Sequence, residues 1–154
     1  MNKIVALFTL TVGLIVGGCS SLLLQPADFS WAAEEILDVN NGMVSAQRYS
    51  VEFNVKPLLA KEFGADIESA NNTKIVRVIR DKAGFYYLTA PKFKNVYVFT
   101  QGEGALSLAN TIAVSPDKPM NDPKFNQRGT YIELLNGSST MQLTKSGAMQ
   151  GGGK

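Results

Sequence analysis

Histidine is absent from all 154 residues, and Cys19 is the single cysteine. The commonest general base, the commonest zinc ligand and every Ser-His or Cys-His arrangement are therefore excluded. Paired carboxylates, a Ser-Lys dyad or a set of Tyr, Lys and Arg remain as routes to catalysis. Glu34, Glu35 and Asp38 form the densest acidic group. On a strand Glu34 and Glu35 point to opposite faces, so the group reads as a solvated strand face. Asp38-Val39-Asn40-Asn41-Gly42 has part of a calcium loop's spacing but no distal Glu. No metal site, no cofactor and no enzymatic activity are expected.

Ser115-Pro116-Asp117-Lys118 has the Ser-x-x-Lys spacing of penicillin-recognising enzymes, and Lys145-Ser146-Gly147 resembles their Lys-Thr-Gly element. The Ser-Asp-Asn element of that family is missing, and Ser115 stands in a proline-broken loop rather than opening a helix. Both stretches read as turns.

Charge is the uneven feature. Residues 28–71 carry eight acids against Arg48, Lys56 and Lys61, whereas residues 74–94 carry Lys74, Arg77, Arg80, Lys82, Lys92 and Lys94 against Asp81. Phe85, Tyr86, Tyr87, Phe93 and Tyr97 are interleaved with these cations. The functional reading is a basic, aromatic-rimmed surface for an envelope protein or an anionic envelope polymer. Its expected contacts are Arg80, Lys82, Lys92 and Lys94, joined by Lys118, Lys124, Phe125 and Arg128 from a proline-rich loop. The structural alternative is pairing with the acidic first segment, or lysines that guard sheet edges. A net charge of +2 gives no footprint for nucleic acid. A rival reading is a carbohydrate-binding or carbohydrate-processing module that stacks sugars on Trp31, Tyr86, Tyr87, Tyr97 or Tyr131.

Met1-Asn2-Lys3 is followed by an uncharged run from Ile4 to Val16, then by Gly17-Gly18-Cys19-Ser20. That run is too short for a comfortable transmembrane helix and suits the apolar core of a secretory signal. Val16-Gly17-Gly18-Cys19 resembles the lipobox of bacterial lipoproteins. The resemblance implies cleavage before Cys19, thioether attachment of diacylglycerol, and acylation of the new amino terminus by a fatty acid such as palmitate. Ser20 takes the place where an Asp would imply inner-membrane retention, so the resemblance implies the outer membrane, facing the periplasm or the surface. With its thiol alkylated, the exported chain has no disulfide and is held by packing alone. A purely structural surface lipoprotein is the third functional reading.

These residues divide the chain into a signal peptide at 1–18, a lipidated tether at 19–27, a domain at 28–145 and a disordered Gly-rich tail at 146–154. The fold class expected is mainly β, a single antiparallel β-sandwich or small barrel of seven to nine strands with one short helix. Residues 29–39 read as a strand or as a helix with Phe29, Ala32, Ala33, Ile36 and Leu37 on one face. The tight-turn signal Asn40-Asn41-Gly42 favours a hairpin between them and the alternating run Tyr49 to Val55. Leu58 to Ala70 predicts one short helix or two turns. Strands follow at 75–80, 85–90, 96–100 and 105–114, the last with Leu106, Leu108, Asn110, Ile112 and Val114 on one well-buried face. Residues 115–129 read as a long loop, and 131–135 with 140–144 as a closing hairpin around Asn136-Gly137.

Overall fold

The computed structural model describes residues 34–150. The expected signal peptide, Cys19, the tether, Trp31 and residues 151–154 lie outside them. Among the described residues the fold is mainly antiparallel β with two packed sheets and no closed barrel, as a β-sandwich requires. Among the described residues no helix is long and apolar enough to cross a membrane.

Among the described residues eleven strands form, two more than the upper expectation. They are β1 (Glu35–Asp38), β2 (Met43–Ala46), β3 (Val51–Asn54), β4 (Ile75–Arg80), β5 (Tyr86–Thr89), β6 (Asn95–Gly102), β7 (Ala105–Ala113), β8 (Pro123–Arg128), β9 (Tyr131–Asn136), β10 (Ser139–Thr144) and β11 (Gly147–Gln150). A five-stranded sheet runs β1-β4-β5-β6-β7, a four-stranded sheet β11-β10-β9-β8, and β2 and β3 pair separately.

Residues 35–38 are strand, but their partner is β4 (Leu37 opposite Val76), not the run at 49–55. The Asn40–Gly42 turn has the positive φ at Asn41 (53°) and Gly42 (79°) that a type I′ turn needs. It feeds the chain into β2, a strand that precedes the expected run at 49–55, and β2 then pairs with β3 around a one-turn 3-10 helix, Gln47–Tyr49. The region expected to hold one short helix or two turns holds two helices, α1 (Lys56–Phe63) and α2 (Ile67–Asn72). Gly64 at φ 58° ends the first, and the Asp66 carboxylate caps the second by accepting the Ser69 N–H at 3.0 Å.

The central sheet is covered on both sides. Tyr86, Leu88, Tyr97 and Phe99 share one face by register, and Tyr49 packs edge-on to Tyr86 with ring centroids 5.4 Å apart. Phe63 of α1 likewise meets Phe93 at 5.5 Å, so the hairpin and the helices form a layer on that face. The opposite face carries Ile79, Tyr87, Val96, Val98 and Ile112. It packs against Phe125, Gln127, Ile132, Leu134 and Leu143 from the four-stranded sheet. Every residue of β5 is buried. A strand enclosed on both faces needs no polar alternation, and Tyr86-Tyr87-Leu88-Thr89 shows none.

Three further expectations are corrected. Residues 123–128 are not loop: Pro123 opens β8, an edge strand where a missing amide hydrogen costs little, and Phe125 and Gln127 alternate inward behind it. The tail is ordered through Gln150, because β11 ladders onto β10 with Leu143 opposite Ala148 and needs little apolar surface to do so. The alternating face of β7 is buried only at its end: Ile112 and Val114 are enclosed, whereas Leu108 is 44% exposed. A bulge between Val98 and Phe99 in the β6–β7 register separates the two halves.

Candidate functional site

The exposed half of β7 forms one wall of a groove of about 690 Å3. β3 and the start of α1 form the other wall with Val51, Phe53, Val55 and Leu58. Leu88 and Phe99 make the floor, and Leu106 and Leu108 the β7 side. Each element delivers its residues by a simple alternation. Val51 and Phe53 face inward on β3 while Glu52 and Asn54 face solvent. Leu106 and Leu108 lie opposite Gln101 and Phe99, hence on the same face as the floor. The rim is polar, with Ser50, Asn54, Lys61 and Gln101, and Glu52 and Lys61 supply its charge. An apolar slot with a few polar groups at its lip is what a binding site for a part-apolar partner looks like.

The basic set expected from sequence is divided by the topology. Arg80 and Lys82 stand at the β4–β5 turn; the Arg80 guanidinium lies 5.3 Å from the Tyr86 ring centroid. Lys92 and Lys94 stand at the β5–β6 turn, at the other end of β5. The Lys118 loop is fastened to that second turn. The Lys92 N–H donates to the Met120 carbonyl at 2.7 Å, the Met120 N–H to Phe93 at 2.9 Å, and the Ser115 N–H to Lys94 at 3.0 Å. Lys92, Lys94 and Lys118 are thus brought together. Lys124 lies at the start of β8, ion-paired with Asp122 at 2.9 Å, and lines with Lys118, Asn121, Asn136 and Ser138 a second cleft of about 660 Å3. Arg128 is at the far end of β8, paired with Glu133 at 3.0 Å.

Phe125 is no contact residue: its side chain is in the core, because β8 turns it toward the central sheet. Of the five aromatics interleaved with the basic residues, only Phe85 stays half-buried, with the Lys145 ammonium 5.0 Å from its ring centroid. Tyr86, Tyr87, Phe93 and Tyr97 are buried between the layers, which also removes Tyr86, Tyr87 and Tyr97 as sugar platforms and leaves Tyr131 half-buried on β9.

Two buried polar arrangements were not among the sequence candidates. Arg77 donates to Glu34 at 2.7 Å and to Asp122 at 2.8 Å, and the Glu34 carboxylate also accepts the Phe125 N–H at 2.8 Å. The acid–base pairing offered as a structural alternative therefore exists, but through Arg77 rather than through the turn lysines. Glu62 on α1 accepts from the Lys94 N–H, from the Asn95 amide at 2.9 Å and from the Tyr97 hydroxyl at 2.5 Å. It locks the helix layer to the β5–β6 turn. Burial first, and then the hydrogen bond to Glu62 and its negative charge, hold the Tyr97 hydroxyl far above the ordinary phenol range. Burial and Asp81, which accepts from the Tyr87 hydroxyl at 3.0 Å, do the same for Tyr87. A long-range partner such as Glu62 leaves no local signal in a sequence.

No known protein family matches the chain, and no curated protein or solved structure matches it either.

Proposed function

We propose that this is a lipid-anchored exported protein of the cell envelope that works by binding, as an accessory or assembly subunit of an envelope complex. Cys19 carries the acyl chains and joins it to the membrane, with the outer membrane as destination. Several acyl chains at about 0.8 kcal/mol per buried methylene make such an anchor durable. The observation that carries the binding role is the groove between β3, α1 and β7, an apolar slot mounted on a scaffold buried on both faces. Lys92, Lys94 and Lys118 supply a separate basic corner suited to steering an anionic protein or polymer.

The test is crosslinked capture from the protein's own envelope. Phe53→Gln makes the groove wall polar and is expected to abolish capture while the cooperative melt persists. Reversal of Lys92, Lys94 and Lys118 to Glu is expected to weaken capture most at low salt. Capture unchanged in both variants overturns the binding role. Radiolabelled palmitate is expected in the wild type and not in Cys19→Ser, and label in both overturns the anchor.

A further inference from the structure

β7 ends the five-stranded sheet, and four of the residues Ala105–Ala109 are exposed. Sheet edges are normally guarded by lysine, proline, a bulge or a covering element. Residues Ala105–Ala113 carry no charge and no proline. The second half of the strand is nonetheless guarded. The bulge falls at Ala109–Asn110, the Asn110 side-chain amide donates to the Lys145 carbonyl at 3.0 Å, and its oxygen accepts the Thr111 N–H at 2.8 Å. That Thr111 amide therefore points away from β6. By the ladder's alternation, carried across the bulge, the backbone groups of Leu108 and Leu106 point outward too. Among the described residues none pairs with them on that side.

We propose that this open segment pairs antiparallel with the same segment of a second copy, about a twofold axis at Ser107. The register follows from the outward groups. With Ser107 opposite itself, Leu106 of one copy faces Leu108 of the other, and these are the residues whose amides and carbonyls point outward. Both leucine pairs then lie on the groove side of the sheet, where Leu106 and Leu108 already stand. The small side chains Ala105, Ser107 and Ala109 occupy the other side of the regular segment. Absence of charge decides between occupants. A foreign strand would be selected by complementary charges, and this edge offers none, whereas self-pairing of an uncharged strand brings no like charges together. The two grooves would run together across the axis as one longer apolar trough.

The inference goes beyond the binding role and does not need the groove's partner; its assay rests on the anchor reading, which leaves Cys19 without a free thiol. One short strand pair is small beside an interface of standard size, so association is weak in dilute solution and is best read by covalent trapping. The full-length protein, extracted from membranes in mild detergent, is oxidised as the parent, as Ser107→Cys and as Ala105→Cys. Opposed Ser107 positions would sit roughly 4.5 Å apart at Cα, within disulfide reach. Two Ala105 positions would be offset by four residues, roughly 13 Å along the strands. A disulfide dimer in Ser107→Cys, absent from Ala105→Cys and from the parent, is the expected result. Adding Leu108→Glu to Ser107→Cys should abolish that dimer. No dimer in Ser107→Cys, or equal dimer in both single variants, overturns the proposal. Loss of envelope capture in Phe53→Gln reports the other wall of the groove, so the two readings fail separately.

Discussion

Replacing Glu34 by Gln tests how the residue before β1 is fastened to the two sheets. The Glu34 and Arg77 side chains are 14% and 8% exposed, and the guanidinium Nε is buried without a partner among the described residues. Removing one member of a buried ion pair costs about 3–5 kcal/mol, because the other charge stays uncompensated. Here Asp122 remains beside Arg77, but it is 56% exposed and shared with Lys124, so its contribution is in the surface range of about 0–1 kcal/mol. The glutamine carbonyl can still accept the Phe125 N–H. Glu34→Gln is therefore expected to destabilise by about 2–4 kcal/mol, and Asp122→Asn by no more than about 1 kcal/mol. The assay is urea unfolding, with a constant m-value as the sign that the transition itself is unchanged. Arg77→Met with Glu34→Gln removes both charges together, and its cost should fall about 1–3 kcal/mol short of the sum of the single changes. A Glu34→Gln effect under about 0.5 kcal/mol, or an additive cycle, would falsify the claim that Glu34 fastens β4 and β8 to the start of β1.

The pH dependence follows from Tyr87 and Tyr97, whose hydroxyls are raised above the unfolded value of about 10. A raised group contributes stability that is full below its unfolded pKa and is lost as pH climbs from there toward the folded value. Stability should thus decline above pH about 10, and Tyr87→Phe with Tyr97→Phe should flatten that decline. Phenolate absorbance that titrates completely near pH 10 in the still-folded domain would contradict it. The second expectation concerns the end of the chain. Truncation after Lys145 removes the ladder from Met141–Gln150 to Thr144–Gly147 and should cost about 1–3 kcal/mol in denaturant melts, more than the small effect a disordered tail would have. A truncated domain as stable as the full chain would mean that β11 contributes nothing.

The strands at 75–80, 86–89, 95–102 and 131–144 were legible because turn residues bracket them: Asp81 to Gly84, Pro91-Lys92 and Asn136-Gly137. The Asn40–Gly42 turn was legible as a conformation but not as a connection. A turn signal fixes φ locally, whereas the partner of Leu37 is Val76, which only the closed sheet selects. β8 was hidden by its own composition. Pro123, Lys124, Asn126, Gln127 and Arg128 read as loop, and only Phe125 carries an apolar alternation signal. β11 was hidden for the related reason that its backbone ladder, rather than buried side chains, orders it.

The site failed to show for a topological reason. Basic residues 80–94 are close in sequence, and a hairpin suggests one surface. In antiparallel order, however, successive turns lie at opposite ends of the strand between them, so β5 separates Arg80 and Lys82 from Lys92 and Lys94 by roughly 13 Å or more. Charges that belong together must come from alternate turns, and the structure joins the β5–β6 turn to the Lys118 loop after β7. The groove obeys the same rule in apolar form. Val51 and Phe53, Leu88 and Phe99, and Leu106 and Leu108 each read as an ordinary inward strand face. What makes them a slot is that the covering layer stops short of β7, leaving Leu108 exposed where alternation alone would have buried it. An unburied residue in a buried pattern is where sequence reasoning and structure part, and it marks the half of β7 on which both the candidate groove and the open edge stand.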